Sequence, residues 1–185
     1  ARNLWAVSYY VGTEPLMEWN EEIYASAEGW KVYRNKSVLP RLRTVHQTKI
    51  INELKDIKDI IETAGWDYAG TVFLYGEDPE LEQCPATDTL HLLRRDTDRA
   101  SFYAEMGCRG MAILADNNYP GWEVMVNGRP ARMWDAYGAQ RGVVLEAGRH
   151  VVEMRFRPGS VAVGLGLTLI GLLGAGMVLW LDRRQ

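Results

Sequence analysis

Residues 161–181 read VAVGLGLTLIGLLGAGMVLWL, an apolar run without one charge, closed by Asp182-Arg183-Arg184-Gln185. At about 1.5 Å rise per residue such a helix covers about 30 Å, the thickness of a bilayer's hydrocarbon core. Buried core helices rarely stay apolar on every face for that long, and Trp180 followed by two arginines suits a membrane interface. The run therefore predicts a single transmembrane helix, with residues 182–185 as a short cytoplasmic tail. Gly164, Thr168, Gly171 and Ala175 recur at i, i+4, i+7 and i+11, a stripe of small residues that lets another helix backbone approach closely. Besides the lipid bilayer, the expected partners are transmembrane helices of another subunit or of a larger body of the same protein.

Residues 1–160 are soluble in character and hold six of the seven tryptophans. The net charge of −3 offers no basic footprint for nucleic acid. Residues 4–11 (LWAVSYYV), 30–34, 42–47 and 70–75 are rich in β-branched and aromatic side chains and predict strands, the second with Trp30 and Val32 inward. Residues 13–29 show no clear period and predict a loop or a short helix. Over 49–64, Ile50, Ile51, Leu54, Ile57, Ile60, Ile61 and Ala64 share one face, with Gly65 behind them, which predicts an amphipathic helix. From Asp88 onward the period is close to two. Turn residues at Asp96-Thr97-Asp98, Asn127-Gly128 and Ala147-Gly148 punctuate it, and in the last strand Val152, Met154 and Phe156 alternate with Glu153, Arg155 and Arg157. The expected fold is mainly β (α+β): an α+β segment at 1–87 packing on an antiparallel β-sandwich at 88–160, then the membrane helix at 161–181.

Little in the sequence points to chemistry. Cys84 and Cys108 fit either one disulfide in an oxidising compartment or two buried thiols. His46, His91 and His150 lack metal-ligand spacing, so neither a zinc site nor any other cofactor is expected. Asp116-Asn117-Asn118 lacks the spaced carboxylates and closing glutamate of a calcium loop, and a turn into Tyr119-Pro120-Gly121-Trp122 is the better reading. Trp122, Trp134 and Tyr137 offer either a sugar-stacking platform or core packing, and their alternation favours the core. Phosphate-binding loops, nucleophile elbows and Cys/His nucleophile pairs are absent from the sequence, and no enzymatic activity of this chain is expected.

The block DNNYPGWEVMVNGR, followed by RGVVLEAGRHVVEMRFRP and the apolar run, resembles the C-terminal region of the YfhO-type bacterial membrane proteins. In that family a YPGW turn, a V-(D/N)-G hairpin, an aGxHxVxFxYxP strand and a final membrane helix follow in this order. NLWAVSYYV and VYRNKSVLPR resemble the family's earlier strand and LPR segment, so the likeness extends over nearly the whole chain. Asn127 stands where Asp is more usual, and Arg157 where the family carries an aromatic residue. The resemblance implies a large multi-span protein related to C-type glycosyltransferases, which take sugars from polyprenyl-phosphate donors. It also implies a catalytic acid in an early extracytoplasmic loop that this chain does not contain.

Two functional expectations follow. In the first, the chain is a non-catalytic, membrane-anchored extracytoplasmic domain of a YfhO-like protein of the bacterial inner membrane, serving as scaffold or binding an acceptor glycan. In the second it is a single-span accessory subunit of a respiratory or photosynthetic complex. The chain begins at Ala1 without methionine or a signal-type segment, which suggests processing or the tail of something longer. Arginines flank the span on both sides, so charge alone does not orient it, and the resemblance puts the sandwich outside the cytoplasm.

Overall fold

The computed structural model describes residues 3–17, 20–53, 55–57, 60, 66–84 and 87–183. These residues are mainly β, in several antiparallel sheets, with one C-terminal apolar helix. A five-stranded sheet is ordered β11 (Arg129–Ala131), β10 (Trp122–Val126), β14 (Gly148–Phe156), β8 (Arg99–Met106) and β7 (Thr89–Arg95). A four-stranded sheet is ordered β12 (Trp134–Ala136), β13 (Gln140–Leu145), β9 (Gly110–Asn117) and β4 (Leu42–Val45). β4 comes from the first half of the chain and pairs with β9, Val45 opposite Met111.

The inward residues of both sheets make the main core: Ala100, Phe102 and Ala104 from β8 and Val152 and Met154 from β14 meet Ala112, Leu114, Val143 and Leu145 from the four-stranded sheet. Burying each large apolar side chain contributes about 1.5–3 kcal/mol before ordering costs. β9 is apolar on both faces because it is covered on both. Ala112 and Leu114 face the main core, while Met111 and Ile113 enter a second one with Val45, Ile51, Val72, Phe73, Leu74 and Tyr137. That second layer is built on a parallel pair, β5 (Gln47–Ile51) and β6 (Thr71–Tyr75).

The parallel pair corrects one expectation. A parallel connection needs a crossover, which the chain makes between Ile51 and Thr71. The helix expected over 49–64 is interrupted at its start: Lys49, Ile50 and Ile51 extend β5, and helical residues are 55–57 and 60. Leu54, Ile61, Ala64 and Gly65 lie outside the described residues. Ile50 and Ile51 are β-branched, and β6 supplies a backbone partner that the helical period cannot reveal.

The N-terminal segment departs in similar ways. β1 (Tyr9–Gly12), β3 (Lys31–Arg34) and β2 (Glu21–Ala25) form a small sheet in that order, so part of 13–29 is strand rather than loop or helix. Only the end of 4–11 is extended. The start turns because Leu4 is buried in the second core and its carbonyl accepts from Gln140 Nε2 at 2.8 Å. Trp30 is exposed; Tyr33 is the buried residue, stacked on Tyr10 at 5.2 Å.

The turn readings fare differently. Asn127 and Gly128, with φ of 52° and 76°, join β10 to β11 as a primed turn requires. Residues 96–98 join β7 to β8. Ala147-Gly148 does not make a hairpin, because β13 pairs with β9 and β12 whereas β14 pairs with β8 and β10. The turn carries the chain from one sheet to the other. Two residues beyond β14, α1 (Gly159–Asp182) begins, long and apolar enough to cross a membrane and uncovered by the other described residues.

Candidate functional site

The register of β14 defines two ends of the sandwich, since Gly148 lies opposite Met106 at one end and Arg155 opposite Arg99 at the other, next to α1. Only Arg157 and Pro158 separate Phe156 from Gly159, a link of about 11 Å at most. The loops at this end are tied to it. Phe156 N–H donates to Asp98 O at 2.8 Å, and Arg157 N–H donates to Gly121 O at 2.6 Å.

The turn Tyr119-Pro120-Gly121-Trp122 carries the chain from β9 in one sheet to β10 in the other. Gly121 has φ of 110°, a conformation open to glycine alone among common residues. A Cβ there would lie 2.8 Å from the Phe156 ring and 3.1 Å from Pro158 Cα. Tyr119 and Trp122 both meet Phe156, with centroids 5.1 Å and 5.5 Å away. Trp122 is buried while Tyr119 is exposed, which leaves an aromatic edge beside the entry to α1.

Behind this turn lies a cluster that sequence spacing hides. The Arg141 guanidinium stacks 3.4 Å from the centre of the Trp122 ring and donates from Nε to Asn117 O at 3.0 Å. Asp116 accepts two bonds of 3.0 Å from Arg95 and one of 2.7 Å from Arg41 Nη1. Burial pulls the Asp116 carboxyl upward, but the Arg95 hydrogen bonds and the charges of Arg95, Arg41 and Arg141 outweigh it and hold the group below its ordinary value. Burial also lowers Arg141, offset in part by Asp116. An open cleft of about 390 Å³ is lined by Trp5, Arg41, Arg95, Asp96, Asp116 and Arg141 among others. Three arginines against two aspartates leave it cationic. Asp96 is further paired with Arg94.

This arrangement suits an anion with an apolar or ring-shaped neighbour, since Arg pairs bidentately with phosphate or carboxylate and stacks on rings. One signal for it stood in the sequence: Arg141 has the parity of Val143 and Leu145, an arginine on the inward side of a strand.

The other sequence-derived residues are dispersed. Trp122 belongs to the main core, whereas Tyr137 lies in the second core, edge-on to Phe73 at 5.3 Å and reaching the carbonyls of Tyr68 and Thr71. Trp134 is covered by Arg132 at 3.8 Å. These rings therefore do not meet in one platform. Gly164, Thr168, Gly171 and Ala175 are exposed on α1, where Thr168 Oγ donates to Gly164 O at 2.9 Å. Cys84 and Cys108 form a disulfide at the opposite end of the sandwich. No family model, curated protein or solved structure matches the chain.

Proposed function

We propose that the chain is a membrane-anchored, non-catalytic extracytoplasmic domain of the YfhO-like kind, which presents a cationic cleft at the lipid surface to the anionic part of a lipid-linked glycan. The observation that carries this reading is the position of the Arg41–Arg95–Arg141 cleft at the end of the sandwich that leads within two residues into α1. A polyprenyl-linked sugar has its phosphate at that height, next to its hydrophobic tail.

The test is binding of a short-chain polyprenyl phosphate to the full chain in detergent micelles, followed by tryptophan fluorescence. The double variant R41Q/R95Q is expected to bind at least about tenfold more weakly, since hydrogen bonds to charged groups are each worth about 1.5–3 kcal/mol. Arg149→Gln, on a cation at the opposite end of β14, should bind as the parent does. Equal affinity in all three chains would sink the assignment.

The accessory-subunit reading rests on different surfaces. The small sheet leaves Tyr9, Val11, Ile23, Tyr24 and Trp30 exposed, and the small-residue stripe of α1 is uncovered. Contiguous apolar exposure of this kind commonly marks a contact surface. On this reading Gly171→Leu forces helix backbones apart and releases the chain from its membrane partner, while Leu172→Ala on the neighbouring face retains it. Co-purification in mild detergent, with the fold of each variant checked by circular dichroism, decides. Equal retention of both variants counts against helix packing along this stripe.

A further inference from the structure

The end of the sandwich away from α1 holds a second cluster, centred on the disulfide. His46 follows β4, and Cys108 lies in the turn between β8 and β9. The two meet with His46 Nδ1 3.5 Å from Cys108 Sγ and 3.0 Å from Glu82 O. On the other side of the ring, Nε2 lies 2.7 Å from Asp88 Oδ2, and the second carboxylate oxygen accepts Gly107 N–H at 3.0 Å. Both nitrogens face acceptors, and because a carbonyl oxygen can only accept, the contact with Glu82 O places a proton on Nδ1. Gly110 makes room for it, because a Cβ there would lie 2.5 Å from His46 Cε1.

The Asp88 carboxyl suits the partner role. Burial pushes it up, but the Gly107 amide, hydrogen bonds from His46 and Thr44 and the charge of His46 outweigh burial and hold it below its ordinary value.

The two sulfurs are not equivalent. Cys108 is buried, whereas Cys84 is half-buried and lines an open cleft of about 430 Å³ with Thr44, His46, Gln47, Gly70 and Gln83. An incoming thiolate therefore reaches Cys84 first, and the sulfur left behind is the one beside His46.

We propose that Cys84–Cys108 is a thiol–disulfide exchange site that oxidises a dithiol, with Cys84 the sulfur attacked, Cys108 the leaving group, His46 the group that stabilises it and Asp88 a positioning residue. A thiolate of the dithiol attacks Cys84 Sγ and forms a mixed disulfide. The Cys84–Cys108 bond breaks, and its electron pair leaves on Cys108 Sγ, which takes the His46 Nδ1 proton. The second thiolate of the dithiol then attacks its own first sulfur and expels Cys84 as a thiolate, which is protonated from solvent. The dithiol gives two electrons to the cysteine pair and two protons to solvent, and solvent returns one proton to Cys84 and one to His46 in place of the proton that Cys108 took. A leaving thiol of lower pKa departs faster, and a neighbouring imidazolium lowers a thiol's pKa.

The experiment reduces the full chain in detergent with dithiothreitol at neutral pH and follows the reaction by acid quenching, alkylation and mass spectrometry. His46→Gln is expected to slow reduction at least about tenfold, and Arg155→Gln, at the other end of β14, to leave it unchanged. With a monothiol in place of the dithiol, the trapped adduct should be on Cys84. Equal rates in the parent and His46→Gln, or an adduct on Cys108, overturn the proposal. Should His46→Gln fail to fold, the parent alone decides with the monothiol: the trapped adduct must be on Cys84, and an adduct on Cys108 refutes the site.

Discussion

Replacing Gly121 with valine is expected to lower stability by roughly 3 kcal/mol, from about 1–3 kcal/mol of backbone strain and a comparable term for overpacking. The strain arises because φ at Gly121 is 110°, beyond the left-handed helical region that other residues occasionally visit. The overpacking arises because the new side chain meets the Phe156 ring and the Pro158 backbone. The ring can turn away, but Pro158 is held between β14 and α1. Gly128→Val is the control, since Gly128 also has positive φ, at 76°, but nothing lies within 4 Å of its Cβ position. It should cost about 1 kcal/mol. Urea denaturation in detergent micelles, read by tryptophan fluorescence, measures both. Equal losses would mean that the crowding at Phe156 and Pro158 contributes nothing. A larger loss at Gly121 ties the YPGW turn to the junction between sandwich and membrane helix.

Asp116→Ala is expected to cost about 2–3 kcal/mol at neutral pH. Removing one partner from a fully buried ion pair costs about 3–5 kcal/mol, and the figure is reduced here because the Arg41 and Arg95 side chains are 38% and 45% exposed. What remains after the change is three guanidinium groups facing one another, of which Arg141 is buried. The pH dependence follows from the depressed carboxyl. Its folded value lies below the ordinary 3.8, so its stabilisation is fully present above about pH 4 and is lost as pH falls through the folded value. The gap in stability between the parent and Asp116→Asn should therefore narrow on acidification from pH 7 to pH 3. Asp88 weakens both chains alike in acid, because its carboxyl is depressed too. A gap that stays constant or widens would mean that Asp116 is not ionised in the folded state.

Several elements were legible because their causes are local. The apolar run at 161–181 needs no partner to be recognised, since its length and lack of charge alone suit a bilayer. Asn127-Gly128 marks a hairpin because both residues tolerate positive φ, and β14 shows its inward face because alternate residues in a strand point to opposite sides. Local signals misled where a partner decides the outcome. Lys49, Ile50 and Ile51 match a helical period, yet β6 draws them into a parallel pair. Ala147-Gly148 has the chemistry of a tight turn, but the strands it joins are claimed by different sheets.

By itself, then, the sequence determined what short-range sterics and hydrophobic period govern: the anchor, the mainly β character, two hairpins and the two faces of the last strand. Tertiary structure decided which strands are neighbours, and with that the composition of both clusters. Arg41, Arg95 and Arg141 converge on Asp116 because β4, β9 and β13 share one sheet and β7 ends beside it. His46 meets Cys108 because β4 pairs with β9, so the residue after one strand lies next to the turn before the other. Contacts between residues so far apart along the chain have no periodic trace, since they depend on loop closure and on the burial gained when whole sheets pair.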